Sequence, residues 1–434
     1  MTVKKFHLEH ICRVEGHGNL LVEIEGNKSK NVEMQIVEGT RFFEGIAVGR
    51  KYDEAINIMS RICAICSTSH QLSAVEALER SVSIVPSDQV YDFRVLLDHG
   101  ENLQSHILHV GMLALPDFLG YDGAIQMVPK YPNEVKLILR MKRIANDLQT
   151  LIGGREIHPV NILPGGFGKY PATRQLEEMK NKLIEFKKGT QVIADLYATL
   201  NIPQFKNKTE QLAVFDGKTY PFIRGDIKSL LSGKIIPPED YKKDFIKEEV
   251  KPYSTAKFST INDGEIYYVS PLARVNINSK FLTDDAKALI KQFGMKLPDF
   301  NPFNNNLARV IELMHCADEA IEILEKYILK PPKEDNKDFK IKAGTGTIAT
   351  EAPRGMLNHS YDVNKEGIIQ RADVITPTAH NTNKIEDDVI KFTPKLTDMK
   401  DDEIELFFNM LVRSYDPCIS CSAHAITIDL RRTK

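Results

Sequence analysis

Two Cys-x-x-Cys pairs lie near opposite ends of this 434-residue chain, and a histidine follows each of them. The first pair is Cys63 and Cys66, and the second is Cys418 and Cys421; together they account for four of the six cysteines. Two intervening residues allow both sulfurs of a pair to face one metal ion. A fold that joins the pairs would therefore present four thiolates to a single centre.

A structural zinc site with four cysteine ligands is the commonest use of such pairs, and spacing alone leaves it open. The wide separation weakens this alternative, because Cys66 and Cys418 are 352 residues apart whereas zinc ribbons and fingers close short local loops. The residues around the pairs weaken it further. His70, Asp416 and His424 are polar or ionisable groups that a purely structural zinc does not require.

Composition excludes several classes of protein. The apolar content of 42% and charged content of 27% are ordinary for a globular protein, and a net charge of −2 gives no electrostatic reason to bind nucleic acid. No apolar run reaches the 18 residues of a membrane span, and the first residues lack the apolar core of a secretory signal. Six cysteines in so long a chain indicate a reducing compartment. We therefore expect a cytoplasmic protein without direct membrane insertion.

The elements that must position the cysteines are mostly helices. Apolar and polar residues alternate over residues 6–37, which predicts an N-terminal antiparallel sheet. Helical periodicity begins at Asp53 and recurs over 88–115, 133–152, 173–200 and 305–329, which predicts a long-helix bundle; another helix near 400–413 leads to the second pair. Short strands and turns are predicted over 340–380. The fold class is therefore mainly α with small β regions (α+β).

This pattern divides the chain into five parts. We expect an N-terminal β region at 1–52, a helical bundle with the first pair at 53–204, a mixed α/β insertion at 205–300, a helix and strand region with the second pair at 301–424, and a tail at 425–434.

Five further motifs occur in a fixed order around the pairs. They are Arg13-Val-Glu15-Gly-His, the segment 38–50 with Glu44, the Gly/Pro-rich segment 154–166, Glu351-Ala-Pro-Arg354-Gly, and Ile375-Thr-Pro377-Thr378-Ala-His-Asn. With the two cysteine motifs they resemble the large subunit of [NiFe] hydrogenases over nearly the whole chain, and only 205–280 carries none of them. We therefore expect the fold of that subunit.

The resemblance implies a nickel–iron centre whose iron carries carbonyl and cyanide ligands. All four thiolates would bind nickel, and soft sulfur ligands suit these metals. Cys66 and Cys421 would also bridge to iron, whereas Cys63 and Cys418 would be terminal. A separate hard cation, magnesium or iron, would be bound near the C-terminus by Glu44 and His424.

The implied reaction is the reversible heterolytic cleavage of H₂. A proton would pass to the terminal thiolate of Cys418 and on to Glu15, a carboxylate that can act as a general base. The remaining residues implied at the centre act on its ligands. Arg354 would contact one cyanide, Thr378 after Pro377 would donate to the other, His70 would donate to the bridging sulfur of Cys421, and Asp416 would belong to the catalytic surroundings.

One departure from the resemblance concerns the helix after the first pair. Many relatives carry aspartate in place of Ser105 in the segment Ser105-His106-x-x-His109. Serine supplies no carboxylate, so we expect no acidic role at this position.

The implied partners follow from the cysteine count. No cysteine cluster is left for iron–sulfur centres, so electrons would leave through an iron–sulfur small subunit. The length and the second motif, which ends in histidine, resemble the soluble cofactor-linked branch. That branch couples to NAD(P), ferredoxin or a deazaflavin through diaphorase or flavin subunits and additional iron–sulfur subunits.

The ten residues after His424 resemble the tail that an endopeptidase removes once nickel is inserted, so we expect the mature chain to end at His424. Two alternatives have the same ancestry. An H₂-sensing regulatory subunit typically lacks such a tail, and the quinone-site subunit of respiratory complex I has lost the metal, whereas all four cysteines stand here.

Overall fold

The N-terminal alternation produces the predicted antiparallel sheet, which has three strands. Strand β1 (Val3–Leu8) pairs with β2 (Gly18–Glu25), which pairs with β3 (Lys28–Ile36). Leu20, Val22 and Met34 are buried on its inner face. The structure is a computed structural model that describes residues 3–423 apart from 263, 336–337 and 397.

Helices follow the first sheet and enclose the first cysteine pair. They are α1 (Phe43–Ala47), α2 (Tyr52–Met59), α3 (Ser67–Val82), α4 (Asp88–Leu108), α5 (Leu115–Leu119), α6 (Ala124–Met127), α7 (Pro132–Gly153) and α8 (Thr173–Ala198), with the two-residue strands β4 (Ile162–Leu163) and β5 (Gly166–Phe167) before α8. A π-helical turn at His109–Ala114 joins α4 to α5. The long helices α4, α7 and α8 lie where periodicity predicts them, and α4 packs against α7.

Residues 205–300, which include the segment without motifs, form a four-stranded sheet, a separate strand pair and three helices. Its elements are β6 (Glu210–Phe215), β7 (Asp226–Ser229), β8 (Ile235–Ile236), α9 (Tyr241–Asp244), β9 (Ile246–Val250), β10 (Lys257–Ile261), β11 (Tyr267–Val269), α10 (Pro271–Asn278) and α11 (Asp284–Gln292). The sheet has the order β11-β6-β7-β8, and β9 pairs with β10. Arg274 of α10 is fully buried and binds Glu312 and Glu351, which ties this segment to the core.

The C-terminal third surrounds α3. It comprises α12 (Asn305–Leu329), β12 (Gly344–Ala352), β13 (Gly355–Val363), β14 (Ile369–Ile375), α13 (Pro377–Phe392), α14 (Asp401–Ser414) and α15 (Ile419–Ser422). Strands β12 to β14 form an antiparallel sheet, and β12 and β13 pack against α3. A Cβ added at Gly346 would lie 1.9 Å from the carbonyl oxygen of Ala77, so only glycine allows this approach.

Helix α13 begins at the end of the segment 340–380, for which strands and turns are predicted, and most of it lies beyond that segment, where no element is predicted. Pro377 occupies its first turn, where the missing N–H costs no hydrogen bond and the fixed φ favours a helix. Within the described residues, no helix combines the length and apolar character that crossing a bilayer requires.

Candidate metal centre

The fold brings the four sulfurs of both cysteine pairs into one buried cluster, as the sequence predicts. Their Sγ atoms all lie within 4.8 Å of one another, and each residue is at most 3% exposed. Across the pairs, Cys63 Sγ lies 3.4 Å from Cys418 Sγ and Cys66 Sγ lies 3.2 Å from Cys421 Sγ. The two ends of the chain therefore build one site.

The loop of the first pair is shaped by the start of α3. A 3₁₀ turn ends at Ile62, Cys63 is extended, and Cys66 caps α3. The first N–H groups of a helix lack intrahelical partners, and here the amides of Thr68 and Ser69 donate to the carboxylate of Glu101 at 2.6 and 2.8 Å. Burial raises the pKa of Glu101 to about 7, although these hydrogen bonds oppose the shift. Glu101 thus orients the helix that carries Cys66.

The second pair follows a backbone turn that the first motif holds in place. Asp416 has φ of 53°, in the left-handed region, and directs the chain toward Cys418. Glu15 and Cys418 form an isolated parallel β-bridge, and the Ile419 amide donates to the Glu15 carbonyl at 2.9 Å. A Cβ at Gly16 would lie 2.7 Å from the Ile419 Cβ, so the glycine is needed for this contact. The N-terminal motif therefore packs directly on the second pair.

Arg41 joins the two cysteine motifs. Its guanidinium donates to the carbonyl of Ile62 at 2.5 Å and to the carbonyl of Ser420. Its backbone amide donates to the Ala423 carbonyl at 3.2 Å. One side chain therefore bridges both halves of the cluster.

The carboxylate of Glu15 lies beside the sulfur of Cys418. Its Oε2 atom is 3.1 Å from Cys418 Sγ and accepts from the Ser420 amide at 3.0 Å. The Ser420 hydroxyl donates to Oε1 at 2.6 Å. Glu15 is only partly buried, so one carboxylate lies between a buried thiol and the outside of the chain.

Arg354 and Asp416 form a buried ion pair at the edge of the cluster. Arg354 Nε donates to the Asp416 carbonyl at 2.7 Å, and Nη2 lies 3.2 Å from Asp416 Oδ1. Burial raises the pKa of Asp416, and the charge of Arg354 opposes this. In the described part of the chain, Arg354 Nη1 and Asp416 Oδ2 have no hydrogen-bond partner. An unpartnered buried guanidinium N–H is the kind of group that binds an anionic ligand.

Thr378 contacts the second pair directly. Its hydroxyl oxygen accepts from the Cys418 amide at 2.9 Å, which leaves its hydrogen to donate to another acceptor. The preceding Pro377 starts α13 and so places Thr378 at the site.

Two predicted residues lie on elements beside the cluster. His70 is buried in the first turn of α3, where its Nδ1 is 3.2 Å from His359 Nε2, and the expected contact with Cys421 stays a prediction. Glu44 accepts from the Val374 amide at 2.7 Å, and burial raises its pKa to about 7. His424 and the tail after it lie outside the described residues, so the hard-cation site also stays a prediction.

The sequence reasoning missed Arg309. It is fully buried in α12, where Nη1 donates to the Ser414 carbonyl at 2.9 Å. Its Nε and Nη2 atoms have no partner among the residues the structure describes, and burial lowers its pKa although Asp416 opposes this. Ser105 is also buried, and its hydroxyl has no hydrogen-bond partner in the described part of the chain. A charged residue within the apolar stretch 307–314 was the only signal for Arg309.

The donor set fits a nickel–iron centre. Four thiolates are soft ligands, and the neighbouring guanidinium of Arg354 suits small anionic ligands on a metal. Burial raises the pKa of the Cys418 and Cys421 thiols well above the ordinary value. Burial also acts on Cys63, but hydrogen bonds with the other cysteines outweigh it and hold the pKa of Cys63 well below the ordinary value. The remaining thiols of the cluster would lose their protons on binding a metal, whose charge compensates the thiolates.

Comparisons with known proteins agree with this chemistry. The family model described as nickel-dependent hydrogenase matches residues 41–137 and 201–424. That match includes the segment without motifs and omits 138–200, which holds the Gly/Pro-rich motif. The chain is 36% identical to the alpha chain of sulfhydrogenase 1 from Pyrococcus furiosus, over 97% of this chain and 98% of that protein. It is 29% identical to a subunit of the F420-non-reducing hydrogenase from Methanothermobacter thermautotrophicus, over 98% and 96% of the two chains.

The solved structures give the same answer for the fold. An NAD+-reducing [NiFe]-hydrogenase in the H2-reduced state superposes with a TM-score of 0.85 at 25% identity, over 97% of this chain and 99% of that one. The motif order, the buried four-sulfur cluster and these matches lead to one conclusion. The chain belongs to the nickel-dependent hydrogenases, as a large subunit whose four cysteines fit the nickel–iron centre.

Proposed function

We propose that Cys63, Cys66, Cys418 and Cys421 would hold the nickel–iron centre through their four sulfurs. When bound, this centre supplies the site at which H₂ is split heterolytically. The observation that carries the proposal is the joint position of four buried sulfurs within 4.8 Å and a carboxylate 3.1 Å from one of them.

Glu15 moves the proton away from Cys418. The 3.1 Å separation allows direct transfer between the thiol and the carboxylate, and no further group has to move. The Ser420 amide and hydroxyl hold the carboxylate in place and stabilise its negative charge. Because Glu15 is partly exposed, it can exchange the proton outward.

Arg354, Asp416 and Thr378 orient the ligands of the centre. Asp416 fixes the guanidinium through two contacts and leaves Nη1 to bind an anion such as cyanide. The Thr378 hydroxyl, whose oxygen is occupied by the Cys418 amide, donates to a second one. The Arg354 guanidinium and the Thr378 hydroxyl also place a positive charge and a hydrogen-bond donor next to the cluster, where negative charge accumulates.

Electrons leave at the face where the first cysteine loop reaches the surface, and an iron–sulfur small subunit docks there. In this loop Arg61 and Ala64 are exposed, whereas Cys63 and Cys66 are buried. The side chains of Phe42, Ile157 and Val160 are 44%, 43% and 53% exposed. His158, next to Ile157, contacts the Ser60 carbonyl at 3.1 Å, so this apolar surface adjoins the loop.

The wider partners follow from the relatives. One is named as part of an NAD-reducing hydrogenase, and others as parts of F420-non-reducing hydrogenases. We infer that this chain acts in a cytoplasmic complex that passes electrons to NAD(P), ferredoxin or a deazaflavin through further flavin and iron–sulfur subunits.

We also infer a hard cation at Glu44, with His424 as its second ligand. Glu44→Gln is expected to lower the content of magnesium, or of iron in excess of the nickel–iron centre.

Metal analysis and infrared spectroscopy of the purified complex test the proposal. We expect nickel and iron in equal amounts, together with carbonyl and cyanide bands. Cys418→Ser is expected to abolish H₂ uptake. Cys12→Ser is the matched control, because Cys12 is exposed and outside the cluster. Zinc as the only metal would contradict the assignment.

A further inference from the structure

Three buried side chains form a hydrogen-bonded row that ends at His70, whose backbone amide donates to the Cys66 carbonyl at 3.2 Å. The Tyr361 hydroxyl lies 2.7 Å from His359 Nδ1, and His359 Nε2 lies 3.2 Å from His70 Nδ1. Tyr361 and His359 stand two residues apart on β13 and so share one face, which packs against α3 where His70 lies. All three are at most 1% exposed.

The row has a single self-consistent direction. A buried hydroxyl hydrogen requires an acceptor, and within the described chain His359 Nδ1 is the only one within hydrogen-bond distance of Tyr361. Burial raises the pKa of Tyr361 well above the ordinary value, so this hydroxyl keeps its hydrogen. Tyr361 therefore donates to His359 Nδ1.

The direction passes from one imidazole to the next. A neutral imidazole has one donor and one acceptor nitrogen, so a His359 that accepts at Nδ1 carries its hydrogen on Nε2. That hydrogen points at His70 Nδ1, which must accept it. His70 then holds its own hydrogen on Nε2, the nitrogen farther from His359.

We propose that Tyr361 and His359 are positioning residues that hold His70 as an Nε2–H donor toward the metal centre. The inference rests on the proposed function and on the contact between His70 and the Cys421 sulfur that the sequence analysis predicts. Groups that set the tautomer of such a histidine commonly tune the site it contacts. Nothing in the row needs to change its protonation state for this to work.

A second row in the same molecule provides a matched control. The Tyr267 hydroxyl contacts His380 Nδ1, and His380 Nε2 lies 3.0 Å from the Asn358 amide oxygen. Tyr267 and His380 are fully buried, like the first row. The chemistry of the two rows matches, but this one ends at an amide.

Nitrogen NMR of the full-length, metal-free chain with ¹⁵N-histidine tests the direction. We expect Nδ1 of both His70 and His359 in the unprotonated range. In Tyr361→Phe, the resonances of both rings are expected to move toward the average of two tautomers, whereas Tyr267→Phe should move only those of His380. A hydrogen on His359 Nδ1 in the unaltered chain, or unchanged His70 and His359 resonances in Tyr361→Phe, would overturn the proposal.

Infrared spectroscopy of the purified complex tests the effect on the centre. Tyr361→Phe is expected to shift the carbonyl and cyanide bands, and Tyr267→Phe is expected to leave them in place. Bands that are present but equal in the two variants would refute the tuning by this row. Absence of the bands from the unaltered complex would instead contradict the proposed nickel–iron function, so the two failures are distinguishable.

Discussion

Replacing Glu15 by glutamine tests the proton step with almost no change in shape. The amide keeps one oxygen, which can still accept from the Ser420 amide at the present 3.0 Å. It cannot take up and release the proton of Cys418, whose sulfur lies 3.1 Å away. The variant therefore removes the chemistry while it preserves the packing.

The size of the effect follows from these contacts. Positioned general acid–base groups contribute about 10²–10⁴-fold to rate, so the barrier to proton exchange should rise by about 3–5 kcal/mol. The loss of charge weakens the two contacts with Ser420, which should cost about 1 kcal/mol of folding stability. Exchange should thus collapse in a protein that remains folded and loaded with metal.

The assay is isotope exchange between H₂ and deuterated water in the purified complex, with metal content measured on the same sample. Glu38→Gln is the control, since Glu38 accepts from the His17 amide close by and does not contact a cysteine. We expect exchange to fall at least about 100-fold in Glu15→Gln and to change less than about twofold in Glu38→Gln. Exchange within twofold of the unaltered complex in Glu15→Gln would refute the reasoning.

Three further predictions concern stability in urea. Gly346→Ala should cost about 3 kcal/mol because its Cβ meets backbone atoms of α3, whereas Gly39→Ala, in open space, should be neutral; equal losses would contradict the clash. The pKa of Glu101 is about 7 in the folded chain and near 4.5 in the unfolded chain, so the folded state binds this proton more tightly and the free energy of unfolding falls as pH rises from 4.5 to 7. Because glutamine does not titrate, Glu101→Gln should lose about 3 kcal/mol less of this free energy than the unaltered chain over the same range. Parallel curves of unfolding free energy against pH would refute this. Arg309→Met removes a buried cation whose Nε and Nη2 atoms have no hydrogen-bond partner among the described residues, and it should stabilise the metal-free chain by about 1–3 kcal/mol. A loss of stability in Arg309→Met would contradict this, because it would mean that other groups compensate the charge of Arg309.

Much of the fold could be predicted because its long helices are amphipathic over several turns. Periodicity located α7, α8 and α12 to within two residues, and its segment 88–115 covers α4 and the π-helical turn that follows it. Helix α13 was missed because the proline at its start, Pro377, suggests a turn, although proline is also favoured in the first turn of a helix. Strands β6 to β11 are short and flanked by charged residues, so their pattern is weak.

The candidate site also contains residues that could be predicted from the sequence and residues that could not. The cysteines, Glu15, Arg354, Asp416 and Thr378 belong to local motifs, and their convergence could be expected from motif order.

Glu101, Arg309, His359 and Tyr361 reach the site only through helix and sheet packing. Their roles depend on distances between elements, which spacing along the chain does not encode. His359 lies only five residues after Arg354 in the sequence. Its contact with His70 becomes visible only in the structure, where β13 packs against α3.

The bridge between Glu15 and Cys418 joins residues 403 apart, and this separation has a consequence for biosynthesis. At ribosomal speed, Cys418 emerges roughly 20–80 s after Glu15. Closing a loop of that size costs about 5 kcal/mol of chain entropy before any contact forms. A nascent or truncated chain that lacks the C-terminal pair therefore carries only two of the four thiols, and its Glu15 has no Cys418 to contact. The complete cluster can form only after the last part of the chain has been synthesised.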